Sequence, residues 1–293
     1  MVTPLLDHDT LDVPGLERLI EHILAGGVHG LFILGTTGEA PSLSHRLRRE
    51  LIERVCRQVA GRLPVLVGVT DTSFVESVNL ACFARQAGAA AVVLAAPFYF
   101  PAGQPELSEY LQHIVPQLPL PMVLYNMPGR GELRFEEQTV AAASRLPTLV
   151  GLKDSSADLA YFLGLLKSFT GRPDFSLWMG NENLLAEALL AGAHGGVCGG
   201  ANVLPRLYVD LYNAALAGDS GQTALLHERV MHIRKTVYAV GRYGSGIIKG
   251  IKCALFCMGI CSDFMAEPFH RFRQAERDAI RRHLVELGIL KQP

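Results

Sequence analysis

The sequence predicts a TIM (β/α)8 barrel with a C-terminal helical appendage, an α/β fold, and three features predict it. Short, unbroken apolar runs recur along the first two-thirds of the chain, segments with helical periodicity separate them, and after residue 217 only helical patterns follow. Unbroken apolar runs are what strands show when both faces of a parallel sheet are covered. Regular alternation of such strands with helices is βα repetition.

In chain order, Met1–Thr3 reads as a clipped first strand. The next seven are Leu31–Leu34, Val65–Gly68, Ala90–Leu94, Met122–Tyr125, Leu149–Lys153, Phe175–Met179 and Gly196–Cys198. Helical segments between them include Ser44–Ala60, Phe74–Ala87, Glu106–Leu118, Phe135–Ser144 and Leu184–Leu190. Eight such units match the barrel, whose usual length is about 250 residues, although an open doubly wound sheet would give a similar local pattern. Pro205–Ala217 reads as the last barrel helix, and Gln222–Val240, Ile248–Met258 and Pro268–Leu287 as an appended helical region. The expected division is therefore 1–220 for the barrel with its site and 221–293 for the helical region.

Three motifs in the second half are weighed and set aside. Gly241–Gly246 is a connection between helices, since no strand precedes it and no Gly-Lys-Ser/Thr follows, as a phosphate loop requires. His227-Glu228 followed by His232 misses the H-E-x-x-H spacing by one residue, so these read as part of a solvated helix. Cys253, Cys257 and Cys261 form a stripe at helical spacing in an apolar stretch, which is core packing by small hydrophobic side chains rather than a zinc site.

With 293 residues, 49% of them hydrophobic, 19% charged and a net charge of −1, the chain has ample core and no electrostatic footprint for nucleic acid or an anionic membrane. Small-molecule ligands are expected. No apolar segment spans a bilayer and the amino terminus lacks a secretory pattern, so the cytoplasm is the expected location. The histidines are scattered, and neither a metal nor a cofactor is expected.

In a barrel of this kind the residues just after each strand build the site. After Leu31–Leu34 comes Gly35-Thr36-Thr37-Gly38-Glu39, a glycine-flanked turn whose N–H groups and hydroxyls can hold a carboxylate. Tyr125 ends a later strand, and Lys153 ends the next. Only six lysines occur, and Lys153 is the first of them, at the end of an apolar run where a residue for solubility is out of place. Desolvation disfavours an ammonium and frees an amine to attack a carbonyl, which is the chemistry of a Schiff-base enzyme. A lysine reaching the surface past a strand end would read the same way in isolation. What separates the two readings is the carboxylate turn and the phenol at neighbouring strand ends.

From its first residues (MVTP) through GTTGEAPSL, PFYF, YNMPGR, VGLKDSS and GGVCGGAN to the late helix IKCALFCMGI, the chain resembles the dihydrodipicolinate synthase / N-acetylneuraminate lyase family of Schiff-base pyruvate aldolases. The resemblance implies that Lys153 forms an imine with pyruvate or another 2-oxo acid and that Tyr125 shuttles the proton. It further implies that Thr36 links Tyr125 to a Tyr99 from a neighbouring subunit, that Thr37 with Gly35 and its turn holds the pyruvate carboxylate, and that the Val197 carbonyl faces the keto acid. A homotetramer, built as a dimer of dimers, is implied too.

Arg130 stands where synthases hold the carboxylate of aspartate semialdehyde, which favours a 4-hydroxy-tetrahydrodipicolinate synthase. Three departures point to 2-keto-3-deoxy sugar acid or 4-hydroxy-2-oxoglutarate aldolases: Asp154-Ser155-Ser156-Ala157 after the lysine where synthases carry Glu-Ala-Thr-Gly, Met179-Gly180-Asn181-Glu182 in place of Gly-Asp-Asp, and the glycine-rich 195–202 run. Phe98 also replaces a tyrosine often found beside Tyr99. A non-catalytic regulatory barrel would lack part of the set Lys153, Tyr125, Thr36, Thr37 and Tyr99, and all five are present.

Overall fold

The structure is a computed structural model that describes residues 1–128 and 133–291. In chain order it forms α1 (Val13–Ala25), β1 (Leu31–Ile33), α2 (His45–Val59), β2 (Val65–Gly68), α3 (Phe74–Gln86), β3 (Ala91–Ala95), α4 (Gln104–Ile114), β4 (Met122–Asn126), α5 (Glu137–Ala143), β5 (Leu149–Asp154), α6 (Leu159–Ser168), β6 (Ser176–Met179), α7 (Leu185–Leu190), β7 (Gly195–Gly196), α8 (Pro205–Leu216), α9 (Ser220–Thr236), α10 (Gly246–Cys257) and α11 (Gln274–Glu286). The seven strands make one parallel sheet in the order β1 to β7. Each pairs with its sequence neighbour, as βα units with short connections dictate.

Short polar side chains start four of the helices. Ser44 and Ser73 accept N–H bonds at the starts of α2 and α3, while Asp12 and Asp158 do so for α1 and α6. Such caps satisfy donors that the first turn leaves open. Two of these helices, α1 and α6, are additional to the segments read from sequence.

The expected eighth strand is not laddered. Met1–Thr3 lies beside β1, but it is held by single bonds of different kinds: its amino group donates to Phe32 O (2.6 Å), Val2 N–H to the Asn202 side chain (2.9 Å) and Thr3 Oγ1 to Gly38 O (2.7 Å). Three residues held by such unlike bonds form no ladder. A cavity of about 480 Å3 lies within the curve of the sheet, lined from every strand by Phe32, Leu66, Ala91, Val123, Val150, Trp178 and Gly195 among others, with Met1 at its edge.

Other expectations are corrected locally. Pro268–Arg273 is not helical: α11 begins only at Gln274, where the Glu276 carboxylate accepts the Arg273 N–H at 3.0 Å. The cysteine stripe is shorter than the spacing implies, because Gly259 takes φ +74° and ends the helical path, leaving Cys261 beyond α10 although still buried. His227 is half-buried rather than fully solvated, with Nε2 2.9 Å from the backbone oxygen of Glu182. Among the described residues no helix is long and apolar enough to cross a membrane.

Candidate active site

Tyr125 and Lys153 are register partners on adjacent strands β4 and β5, so their side chains rise from the same face of the sheet. That face is apolar: Val93, Val123 and Tyr125 form a small cluster with Phe32, Leu66, Val150 and Trp178 around it. Lys153 is only 7% exposed, and its Nζ lies 3.9 Å from the centroid of the Tyr125 ring and 5.0 Å from that of Phe32. The two rings meet edge-on at 6.1 Å. A cation among π faces and few polar neighbours is held by the ring quadrupoles while water is kept away.

Beyond the tip of β1 the chain turns sharply. Gly38 N–H bonds Gly35 O (3.0 Å) and Glu39 N–H bonds Thr36 O (3.1 Å), with Leu34 and Glu39 both at φ 56°. This places Thr36 Oγ1 3.3 Å from the Tyr125 hydroxyl. A side chain at Gly35 would strike the Phe32 ring at 2.7 Å, so the turn needs glycine there. Thr37 sits across from the loop after β7: a Cβ on Gly199 would lie 3.7 Å from both Thr37 Oγ1 and Glu182 Oε1.

Electrostatics single out the phenol. Burial pushes the Tyr125 proton affinity up, but the Lys153 charge and hydrogen bonds from Thr36, Ser155 and Lys153 outweigh it and leave the pKa below the ordinary value near 10. Ser155 escaped the sequence reading as a site residue. Two positions beyond Lys153, it falls on the same face of an extended chain, and period two could have found it. Its Oγ and the Lys153 Cε crowd against Gly180, where a Cβ would come within 2.0 and 2.9 Å of them.

Asp154 points the other way. It is fully buried, accepts from Asn126 Nδ2 at 2.7 Å and from Ser156 Oγ at 2.9 Å, and burial raises its pKa. Asn126 in turn accepts the Phe135 N–H at 3.1 Å, so this pair fastens the ends of β4 and β5 to the chain beyond residue 133.

The profile of the dihydrodipicolinate synthetase family matches residues 1–287. The chain belongs to that family. It is a lyase of the Schiff-base, pyruvate-dependent class. A 4-hydroxy-tetrahydrodipicolinate synthase of Pseudomonas syringae pv. syringae is 33% identical over 290 residues, covering 99% of this chain and 97% of that protein. Among solved structures, a dihydrodipicolinate synthase from Bacteroides thetaiotaomicron shares the fold with a TM-score of 0.95 at 55% identity, over 98% of this chain and 96% of its own. A prophage protein of the dihydrodipicolinic acid synthase family from E. coli K12, solved in complex with pyruvate, has a TM-score of 0.92 at 26% identity, over 99% and 97% of the two chains.

Of the residues expected at a synthetase-family site, Lys153, Tyr125, Thr36 and Gly35 are gathered within the distances given, and Thr37 and Val197 lie at the same end of the sheet. The Val197 N–H is taken by Met179 O at 2.9 Å. Tyr99 is apart from them: it is 84% exposed, stacked edge-on at 5.0 Å against Phe100, itself 77% exposed. Its φ of 92° is rare for an aromatic residue. Arg130 lies outside the described residues. Glu182, which the sequence analysis treats only as part of the Met179–Glu182 departure, is a further acid near these loops. It is buried where the loop after β6 meets the loop after β7, and it accepts from Gly200 N–H at 2.8 Å and from the Tyr238 hydroxyl at 3.2 Å, with its pKa raised by burial.

Proposed function

We propose that the chain joins pyruvate to an aldehyde through an imine on Lys153, as a 4-hydroxy-tetrahydrodipicolinate synthase does. The observation that carries this reading is the register pair Lys153–Tyr125, with the amine over the phenol ring and the phenol 3.3 Å from Thr36. The Lys153 amine, once deprotonated, adds to the keto carbon of pyruvate. The carbinolamine takes a proton through Tyr125 and loses water, giving an iminium. That electron sink acidifies the neighbouring methyl, whose proton leaves to form an enamine; the enamine carbon attacks the aldehyde, and hydrolysis or attack by an amine of the product frees Lys153. Thr37 and the Gly35 turn hold the pyruvate carboxylate through hydroxyl and N–H donors. The Val197 carbonyl faces the bound keto acid, and Arg130 holds the carboxylate of the aldehyde partner through its guanidinium fork.

The names of the relatives and the 55% identity to a synthase structure support aspartate semialdehyde as the aldehyde. One observation favours a sugar-acid aldolase instead: the Ser155 hydroxyl, beside Tyr125 and Lys153, suits a hydroxylated aldehyde. The test is a panel of pyruvate with aspartate semialdehyde, glyceraldehyde, glyoxylate and N-acetylmannosamine, run in both directions. The synthase reading expects the highest kcat/KM with aspartate semialdehyde, and a larger value with glyceraldehyde would replace it.

In the same reading, Met1–Thr3 completes the barrel between β1 and β7, with the Met1 and Val2 bonds to Phe32 and Asn202 as its support. The barrel runs through residue 220 and the helical region from 221. Six unpaired cysteines accord with a reducing cytoplasm.

Exposed Tyr99 and Phe100, on a strained backbone after β3, support a two-fold interface in a homotetramer where Tyr99 reaches the partner's Thr36. Mixing inactive Lys153→Ala chains with impaired Tyr99→Phe chains is expected to restore activity, because one site in each mixed dimer has both residues intact. Verified subunit exchange with no gain in activity would remove Tyr99 from the site.

A further inference from the structure

Lys252 is the most deeply buried lysine in the chain. It is fully shielded on α10, and its Nζ pairs with the Glu39 carboxylate, itself buried, while donating to Phe264 O at 2.7 Å. The other Glu39 oxygen accepts the Ala266 N–H at 2.9 Å. Glu39 therefore ties the turn after β1 both to α10 and to the segment that follows it. That segment is held in turn: Ser262 N–H bonds Asp12 Oδ2 at 2.8 Å, and Asp263 takes a two-pronged bond from Arg277 of α11 at 2.7 to 3.0 Å.

Stability alone is a poor reason to keep such a pair. Desolvating two charges offsets most of their attraction, and well-packed apolar substitutes of similar volume are often neutral or better. What the charges add is direction. Each group has two fixed partners, so the pair determines where the Glu39 side chain points and, through it, the conformation of its backbone. That backbone sits at φ 56°, a region costly for a residue with a Cβ, and such strain persists only where surrounding contacts over-determine it. The Glu39 N–H bonds Thr36 O at 3.1 Å, so the strained residue closes the turn that carries Thr36 and Thr37.

We propose that the buried Glu39–Lys252 pair is a positioning device for the pyruvate site: anchored in the C-terminal helical region, it sets the Gly35–Glu39 turn so that Thr36 meets Tyr125 and Thr37 meets the pyruvate carboxylate. The inference rests on the reading of that turn as the carboxylate cradle. It makes the helical region part of the catalytic apparatus, although no residue of α10 touches the reacting atoms.

The experiment compares Glu39→Leu, Lys252→Met, the double variant Glu39→Leu/Lys252→Met and Glu39→Gln with the unaltered enzyme, by thermal midpoint and by steady-state kinetics in pyruvate. Each of the first two single variants strands a buried charge and is expected to melt earlier. The double variant has no stranded charge and is expected to melt near the unaltered enzyme, while its KM for pyruvate stays raised roughly tenfold or more, since sub-ångström placement of the turn is lost. Normal KM and kcat in a stable double variant would reduce the pair to packing and overturn the proposal. If the double variant does not fold, Glu39→Gln decides: it keeps the shape and an acceptor for Ala266 but loses the charge, so a raised KM for pyruvate is expected and an unchanged one overturns the proposal. Borohydride trapping of pyruvate on the unaltered enzyme tests the underlying reading separately: without an adduct on Lys153 the cradle reading falls whatever the variants do.

Discussion

Borohydride in the presence of pyruvate is expected to fix one pyruvate-derived adduct on Lys153 and to abolish activity, and Lys153→Ala is expected to bring turnover to background. Burial alone does not select this residue. Lys249 and Lys252 are also buried, but both belong to α10 rather than to a strand: Lys252 is engaged by Glu39 and Phe264, and the Lys249 Nζ lies 6.0 Å from the centroid of the Phe272 ring. Lys167, Lys235 and Lys291 are exposed. Only Lys153 stands at a strand end with a phenol beneath its amine, among rings that keep the ammonium poorly solvated. Reduction captures only an imine that has formed, so the adduct reports reactivity rather than access. Peptide mapping that places the adduct on another lysine, or retained turnover in Lys153→Ala, would defeat the imine mechanism at this residue.

Much of this site was legible in the sequence because its parts obey strand logic. A residue that ends an apolar run in a parallel sheet opens onto the carboxyl face, and that rule alone finds Tyr125, Lys153 and the turn at Gly35. It reaches the seven laddered strands with boundaries shifted by a residue or two. It is silent on contacts between distant elements. Glu39 reads as the last letter of a turn motif, and nothing in it announces a partner in α10; Lys252 reads as one cation in a late helix. Glu182 likewise reads only as the last residue of a departure from the synthase pattern, and the approach of Gly200 and Tyr238 shows it to be buried. The missing ladder at Met1–Thr3 has a different reason: three residues can satisfy a strand pattern, but a ladder needs repeated bonds to a neighbour, and these bonds go to unlike partners.

Tyr125→Phe should lower kcat by about 10²- to 10⁴-fold while moving the KM for pyruvate little, because the phenol transfers protons and the carboxylate is held elsewhere. The pH profile gives the sharper readout. The Lys153 charge and three hydrogen bonds hold the Tyr125 pKa below its ordinary value, so its proton is lost at a lower pH than from a free phenol. The kcat of the unaltered enzyme should therefore fall on a basic limb that begins below pH 10, and the variant should lack that limb. Stability must behave differently if the assignment is right. A group whose pKa is depressed on folding contributes ionisation-linked stability above its unfolded pKa, and that contribution disappears as the pH falls through the folded value. At pH values below the folded pKa the phenol therefore adds nothing by titration. What the variant loses there is the hydrogen bonding of the phenol to Thr36, Ser155 and Lys153, a net of about 1 kcal/mol for each bond, which shifts the melting temperature by several degrees at most. A large fall in kcat with a small shift in melting marks a proton carrier. An unchanged kcat with a raised KM would instead make Tyr125 a binding residue, and a basic limb that survives in the variant would assign that titration to another group.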